Sequence, residues 1–103
     1  MNAYFLEPNA NHALDEIYEY TATNWGEDQA DSYINGLFGF FDNIASKKVT
    51  WRAVPAEFGV SGYFGKYEHH FIYWRVMHSG DIGVVAILHE RMHQIDRIRQ
   101  MFA

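Results

Sequence analysis

The fold is decided by residues 69–93, HHFIYWRVMHSGDIGVVAILHERMH. Two apolar runs rich in β-branched and aromatic residues, 71–77 and 82–88, flank a short glycine-containing segment, 78–81. Strand-forming residues on either side of such a segment predict a β-hairpin. Residues 84–88 are apolar without alternation, so we expect the second strand to be covered on both faces of its sheet.

A helical hairpin is predicted between a first strand, residues 3–7, and this β-hairpin. Apolar residues recur at helical spacing through 10–21 and again through 30–45. Because the interval between the two helices is short, we expect them to pack as antiparallel neighbours. Gly36 and Gly39 each weaken the second helix by up to about 1 kcal/mol relative to alanine, and a close crossing of the two helices would explain them.

The remaining segments complete a small α+β domain. Residues 49–62 are expected to be irregular, and residues 63–68 to form a strand with a bulge at Gly65. Apolar residues at spacings of three and four predict a short amphipathic helix over 92–102. The order is β-α-α-β-β-β-α, with an N-terminal strand, a helical hairpin packed on a small and mainly antiparallel sheet, and a C-terminal helix. At 103 residues, we expect residues 1–103 to form one domain.

Composition and charge exclude several classes of protein. The chain has no cysteine, which excludes disulfides and thiol chemistry. No apolar run reaches the roughly 18–20 residues of a membrane span, so we expect a cytoplasmic protein without membrane contact. Residues 1–46 hold eight carboxylates and no Lys or Arg, whereas residues 47–103 hold eight basic side chains against five acidic ones. Such an acidic half is a poor footprint for a dedicated nucleic-acid binder.

Residues 89–93, HERMH, match the His-Glu-x-x-His pattern of zinc metalloproteases. That chemistry needs both histidines on one continuous helix and a third ligand elsewhere. Here His89 directly ends a strand-like run, so we expect a strand-to-helix junction and no metal site. His69 and His70 are adjacent, and adjacent strand residues face opposite sides, so the pair cannot chelate a metal as a unit. We expect at least one of them to be buried and hydrogen-bonded, and we expect no cofactor.

A general acid–base ribonuclease is an alternative interpretation. In it, Arg75, Arg91 and His89 converge near the ends of two adjacent strands, where arginines hold a phosphate and the histidine moves a proton. The small number of cations argues against it, because phosphate contacts dominate the affinity of proteins for nucleic acids.

Several segments together resemble the ParE/RelE toxin superfamily, and the ParE branch in particular. The runs DEIYEYT at 15–21 and WGEDQA at 25–30 are similar to that family's helical hairpin. HFIYWRV at 70–76 resembles its central strand, and ILHERM at 87–92 resembles its closing Leu-His-x-Arg-Met-Asp signature. The resemblance implies the toxin of a type II toxin–antitoxin pair, which forms a hetero-oligomer with a small cognate antitoxin. It also implies that the complex contacts DNA only through the antitoxin.

The resemblance also bears on the target. ParE members inhibit DNA gyrase, whereas RelE members cut mRNA on the ribosome with several basic sheet residues and a C-terminal tyrosine. Here the sheet positions are His70 and Phe71, and residues 93–103 contain no tyrosine. This departure favours a non-enzymatic gyrase inhibitor, with a ribosome-dependent mRNA endonuclease as the alternative. We assign no catalytic residue, and the residues expected to bind a partner are Arg75, His89, Arg91, Arg97 and Arg99.

Overall fold

The computed structural model describes residues 3–102, which form three helices and a five-stranded sheet. One turn of 3₁₀ helix, Ala56–Phe58, lies between the second and third strands. The α+β class and the predicted order of elements are confirmed, with one additional two-residue strand inside the segment expected to be irregular. In chain order, the elements are β1 (Tyr4–Leu6), α1 (Pro8–Trp25), α2 (Glu27–Ala45), β2 (Arg52–Ala53), β3 (Tyr63–Tyr67), β4 (His70–Val76), β5 (Ile82–His89) and α3 (Gln94–Met101).

The strands lie in the order β1-β5-β4-β3-β2. All neighbouring pairs are antiparallel except β1 and β5, which are parallel. The chain passes through α1, α2 and three further strands between β1 and β5. None of the helices within residues 3–102 has both the length and the hydropathy that crossing a membrane requires.

The helical hairpin α1–α2 covers one face of the sheet, which we call the hairpin face. Pro8 occupies the first turn of α1, where its missing N–H costs no hydrogen bond. Gly26 joins the two helices with a φ of 96°, a conformation that glycine adopts without strain. The buried side chains of this layer are Ala10, Leu14, Leu37, Phe41, Ile44, Ile72, Trp74, Ile82, Val84 and Ile87.

A close approach explains Gly36, but the predicted partner is wrong. A Cβ atom at Gly36 would overlap the hydroxyl of Tyr67, which reaches α2 from β3 in the sheet. The glycine therefore makes room for a sheet side chain, and α1 is not the neighbour concerned. Gly39 has open space around its missing Cβ, so the crossing does not explain it either.

The bulge of the sheet lies in β5, and the prediction at Gly65 is wrong. Tyr73 pairs with Ala86 and Trp74 pairs with Val84, which leaves Val85 without a partner on β4. The extra residue reverses the alternation of β5 from that point onward.

The reversal decides which side chains of β5 face the helices. Before the bulge, the even-numbered Ile82 belongs to the core of the hairpin face, and after it the odd-numbered Ile87 does. His89 follows the same parity as Ile87 and therefore lies on the hairpin face, opposite His70. Without the extra residue, His89 would point to the other side of the sheet.

The other face of the sheet, which we call the α3 face, is covered by α3 and the 3₁₀ turn. The predicted C-terminal helix is present but shorter than expected, at Gln94–Met101. Gln94 ties its start to the sheet: Nε2 donates to the His89 carbonyl at 2.9 Å, and Oε1 accepts from the Tyr73 hydroxyl at 2.8 Å. The buried side chains of this layer are Val54, Tyr73, Val85, Ala86, Leu88 and Ile98.

Candidate partner-binding surface

Of the residues expected to converge, Arg91 lies next to His89, but Arg75 does not. Arg75 pairs with Gly83 near the β4–β5 turn, whereas His89 pairs with His70 at the opposite end of the same two strands. Five residues of strand separate the two positions, which corresponds to about 16 Å. The predicted convergence of Arg75 with His89 is wrong because β4 and β5 run in opposite directions. The carboxyl ends of two adjacent antiparallel strands therefore lie at opposite ends of the pair.

Arg75 is engaged within the protein. Its Nη2 and Nε donate to the two carboxylate oxygens of Glu7 at 2.6 and 3.0 Å, which joins β4 to the segment after β1. These hydrogen bonds raise the pKa of Arg75 above its ordinary value. The pair passes over Gly83, where a Cβ atom would lie 2.7 Å from Glu7 Oε2. The guanidinium also lies 5.6 Å from the ring centroid of Phe102.

Arg99 fastens α3 to the 3₁₀ turn. Its Nη2 donates to the Glu57 carbonyl at 2.8 Å, and its Nε donates to the Phe58 carbonyl at 3.2 Å. Carbonyl oxygens at the end of a short helical turn lack intrahelical donors, so the guanidinium satisfies them. Arg99 therefore has a structural role.

Arg91 and Arg97 remain available to a partner. Arg91 lies in the turn between β5 and α3, and Arg97 lies on α3 beside the buried Ile98. Both are exposed, and within the described residues neither guanidinium forms an ion pair. The turn before α3 and α3 itself thus each offer one exposed arginine without an ion pair among residues 3–102.

The His-Glu-x-x-His pattern does not lie on one helix. His89 ends β5, a turn follows, and α3 begins only at Gln94. His89 Nδ1 accepts the Arg91 backbone N–H at 3.1 Å, while His93 Nδ1 lies 3.6 Å from Asp96. Across residues 3–102, no group of three or more His, Cys, Asp or Glu side chains is placed to hold a metal ion.

A cluster of three imidazoles, which no pattern in the sequence predicted, lies where β3, β4 and β5 meet α2. Tyr33 Oη and His70 Nδ1 are 2.6 Å apart. The His70 ring meets the His89 ring edge to face with centroids 5.2 Å apart, and His69 stacks on His89 at 6.5 Å. The only sequence pattern that indicated a buried His70 was its position two residues before the buried Ile72. The bulge that places His89 beside His70 has no recognisable pattern in the sequence.

The electrostatics of this cluster favour a neutral His70 imidazole and a neutral Tyr33 phenol. Burial, with smaller contributions from His89 and His69, lowers the pKa of His70 to about 4. Burial also raises the pKa of Tyr33 to about 12. As expected from the sequence, one histidine of the adjacent pair is partly buried and hydrogen-bonded, whereas His69 lies in the β3–β4 turn.

Glu90 neutralises the nearest cation. Its carboxylate accepts hydrogen bonds from Lys66 Nζ at 2.8 Å and from His69 Nδ1 at 2.9 Å, which together lower the pKa of Glu90 to about 2. Lys66 thereby forms an ion pair within the protein, next to the His69–Glu90 pair. Lys66 is consequently less able to hold a phosphate group, because it is already paired with a carboxylate.

Comparison with known proteins assigns the family. A family model described as the ParE toxin of the type II toxin–antitoxin system, parDE, matches residues 4–94. The chain belongs to the ParE toxin family. The resemblance inferred from the sequence is therefore confirmed, and the chain is a toxin of the type II toxin–antitoxin class.

Two relatives agree with this assignment, and a solved structure shares the fold. Toxin ParE1 of Mycobacterium tuberculosis is 34% identical over 96 residues, covering 91% of this chain and 94% of the relative. Toxin ParE of Escherichia coli is 31% identical over 98 residues, with 95% and 94% covered. A chain of the chromosomal ParDE TA system from P. aeruginosa superimposes with a TM-score of 0.66 at 18% identity, over 86% of this chain and 96% of that one.

The ParE match divides the proposed contact residues. Arg75, His89 and Arg91 lie inside the matched span, whereas α3 lies almost entirely beyond residue 94. Arg97 and Arg99 therefore belong to the part of the chain for which the family model gives no support.

Proposed function

We propose that this ParE-family toxin inhibits DNA gyrase by binding it, breaks no covalent bond, and is neutralised by a cognate antitoxin. The match of the ParE family model to residues 4–94 carries the proposal. The solved relative is a chain of a ParDE toxin–antitoxin system, which supports an antitoxin partner that forms a hetero-oligomer with the toxin.

The arrangement of charged groups favours binding over catalysis. A nuclease needs a proton-transferring group beside free cations that hold the phosphate. In this chain Arg75 lies at the opposite end of the strand pair from His89, and Lys66 is paired with Glu90. Arg91 is therefore left as a single cation next to His89 that has no ion pair in the described part of the chain. His70 faces the helices and hydrogen-bonds with Tyr33, so it is directed away from the α3 face.

The contact surface that we propose is the edge of the α3 face around Arg91 and Arg97. Arginine is enriched among the residues that dominate binding energy at protein interfaces. Arg75, His89 and Arg99 support this surface indirectly. Arg75 holds β4 to the β1 segment, Arg99 holds α3 to the 3₁₀ turn, and His89 accepts the backbone N–H of Arg91.

A gyrase supercoiling assay with purified full-length toxin tests this proposal. We expect inhibition that saturates at a fixed molar ratio of toxin to gyrase. We expect R91A and R97A to raise the concentration for half-inhibition about fivefold or more, the effect of losing roughly 1 kcal/mol of binding energy. K48A, which removes an exposed cation after α2, is the matched control and should leave inhibition unchanged.

The alternative has a distinct signature. A ribosome-dependent endonuclease would cut ribosome-bound mRNA at toxin concentrations far below that of the message, and H89A or R91A would abolish the cleavage. That outcome would contradict the proposal. Truncation at Met92 is a poorer test, because it also removes Ile98 from the core of the α3 face.

Neutralisation is tested by co-expression. The product of the adjacent reading frame should relieve growth arrest caused by the toxin and should co-purify with it. Growth arrest that persists in the presence of every neighbouring product would argue against an antitoxin encoded beside the toxin.

A further inference from the structure

The tip of the helical hairpin carries two aromatic side chains exposed to solvent. Tyr20 and Trp25 are 63% and 65% exposed, and their rings meet edge to face with centroids 5.9 Å apart. Neither ring belongs to the two core layers of the described residues. Aromatic side chains left in water are candidates for contact with a partner.

The surroundings of this pair are strongly acidic. Glu16 lies one helical turn before Tyr20, and it is 3.3 Å from His12 on the same face of α1. Asp28 follows Trp25 by three residues in the first turn of α2. Residues 1–46 contain no Lys or Arg. The carboxylates of α1 and of the first two turns of α2 are Asp15, Glu16, Glu19, Glu27, Asp28 and Asp31.

The helix ends strengthen this negative field. The last turn of α1 contains no basic residue, so the negative end of its dipole is not compensated by a side chain. The first turn of α2 carries Glu27 and Asp28, which offset the positive end of the second dipole. Lys47 and Lys48 follow the far end of α2, about 28 Å along the helix.

We propose that this tip, residues 20–28, is a docking site for a lysine- or arginine-bearing segment of a partner protein. Such cations are attracted to the faces of Trp and Tyr rings, and the surrounding carboxylates complement their charge. The tip belongs to the helices that cover the hairpin face, whereas Arg91 lies in the turn before α3 and Arg97 lies on α3, which covers the other face. It is therefore a second contact surface, separate from the one proposed for gyrase.

Fluorescence polarisation with full-length toxin tests this docking site. The probe is a labelled dodecapeptide of alternating arginine and serine, and a glutamate–serine peptide is its control. We expect the basic peptide to bind at low salt and to weaken as sodium chloride is added. W25A should weaken binding about fivefold, the effect of roughly 1 kcal/mol of cation–π attraction, and Y20A should weaken it less.

F5A provides the matched control, because Phe5 is an aromatic residue 53% exposed on β1 and outside the acidic helices. It should bind the peptide as the wild type does, and circular-dichroism melts should show that all three variants fold. Equal losses in F5A and W25A, or no binding of the basic peptide, would overturn the proposal.

A Trp25-dependent dimer in analytical ultracentrifugation would also overturn it, since the tip would then bind a second copy of the chain. This readout does not depend on gyrase. A toxin that fails to inhibit supercoiling but binds the peptide through Trp25 would contradict the proposed function alone.

Discussion

On the hairpin face, helices of 18 and 19 residues bury ten side chains, whereas on the α3 face an eight-residue helix and a 3₁₀ turn bury six, counted over residues 3–102. The hairpin face is held mainly by apolar packing. The α3 face relies in addition on polar ties from Gln94 and Arg99. The difference shows that the thinner layer needs polar ties in addition to apolar burial, and that it leaves Arg97 exposed without an ion pair among residues 3–102.

If the hairpin face is held by close packing, a single added methyl group should lower the stability of the protein most when it is placed there. G36A should lower the free energy of unfolding by about 1–3 kcal/mol, because the new Cβ overlaps the Tyr67 hydroxyl. Urea denaturation monitored by circular dichroism measures the change. G39A is the matched control in the same helix: it has open space, and replacing glycine with alanine should stabilise the helix by up to about 1 kcal/mol.

The cause can be isolated with a second substitution. Y67F removes the hydroxyl that the new methyl group would meet, so it should recover part of the loss in a G36A/Y67F double variant. Equal effects of G36A and G39A would show that α2 is loosely packed on the sheet, and the comparison between the two faces would fail.

A second effect is expected from pH, at the polar end of the hairpin face. The pKa of His70 is about 4 when folded and 6.5 in its ordinary range. Below about pH 6.5, His70 binds a proton in the unfolded chain but not in the folded one. The contribution of His70 to stability is therefore complete above that pH and falls as the pH drops towards 4. Urea denaturation at a series of pH values between about 7.5 and 4.5 measures this slope.

His70 can be separated from the other acid-sensitive groups. H70N keeps an acceptor for Tyr33 but cannot titrate, so it should flatten the slope, whereas H78N in the exposed β4–β5 turn should not. Glu90, with a pKa of about 2, loses its contribution only below about pH 4.5 and falls outside the window. An unchanged slope in H70N would place the acid sensitivity elsewhere.

The smallest effect distinguishes the two kinds of arginine on α3. R99A removes two hydrogen bonds to backbone carbonyls at an exposed site and should lower stability by about 0.5–1 kcal/mol. R97A removes an unpaired exposed charge and should leave the melting temperature unchanged while weakening toxicity. If R97A destabilised the fold as much as R99A, the distinction between a binding and a supporting arginine would be lost.

Local patterns in the sequence were sufficient for most of the fold. Helical spacing through residues 10–21 and 30–45 and the strand pair around Gly80 depend only on neighbours a few positions apart. The two-residue β2 has no such pattern, because its pairing with Phe64 across the sheet creates it.

The candidate site was less predictable for the same reason. Arginine at positions 91 and 97 could be recognised as cationic and exposed, but not distinguished from Arg75 and Arg99. Those two are engaged by Glu7, 68 positions away, and by carbonyls 41 and 42 positions away.

The order of helices and strands, the charge asymmetry of the two halves and the ParE resemblance were determined by the sequence alone, since each is a property of contiguous residues. Only the tertiary structure decided which imidazoles meet and which arginines are engaged. The extra residue at Val85 places His89 on the same face of the sheet as His70, and the Tyr67 hydroxyl occupies the space that a side chain at Gly36 would need. Such outcomes depend on strand register and side-chain volume across the sheet, which a linear pattern does not encode.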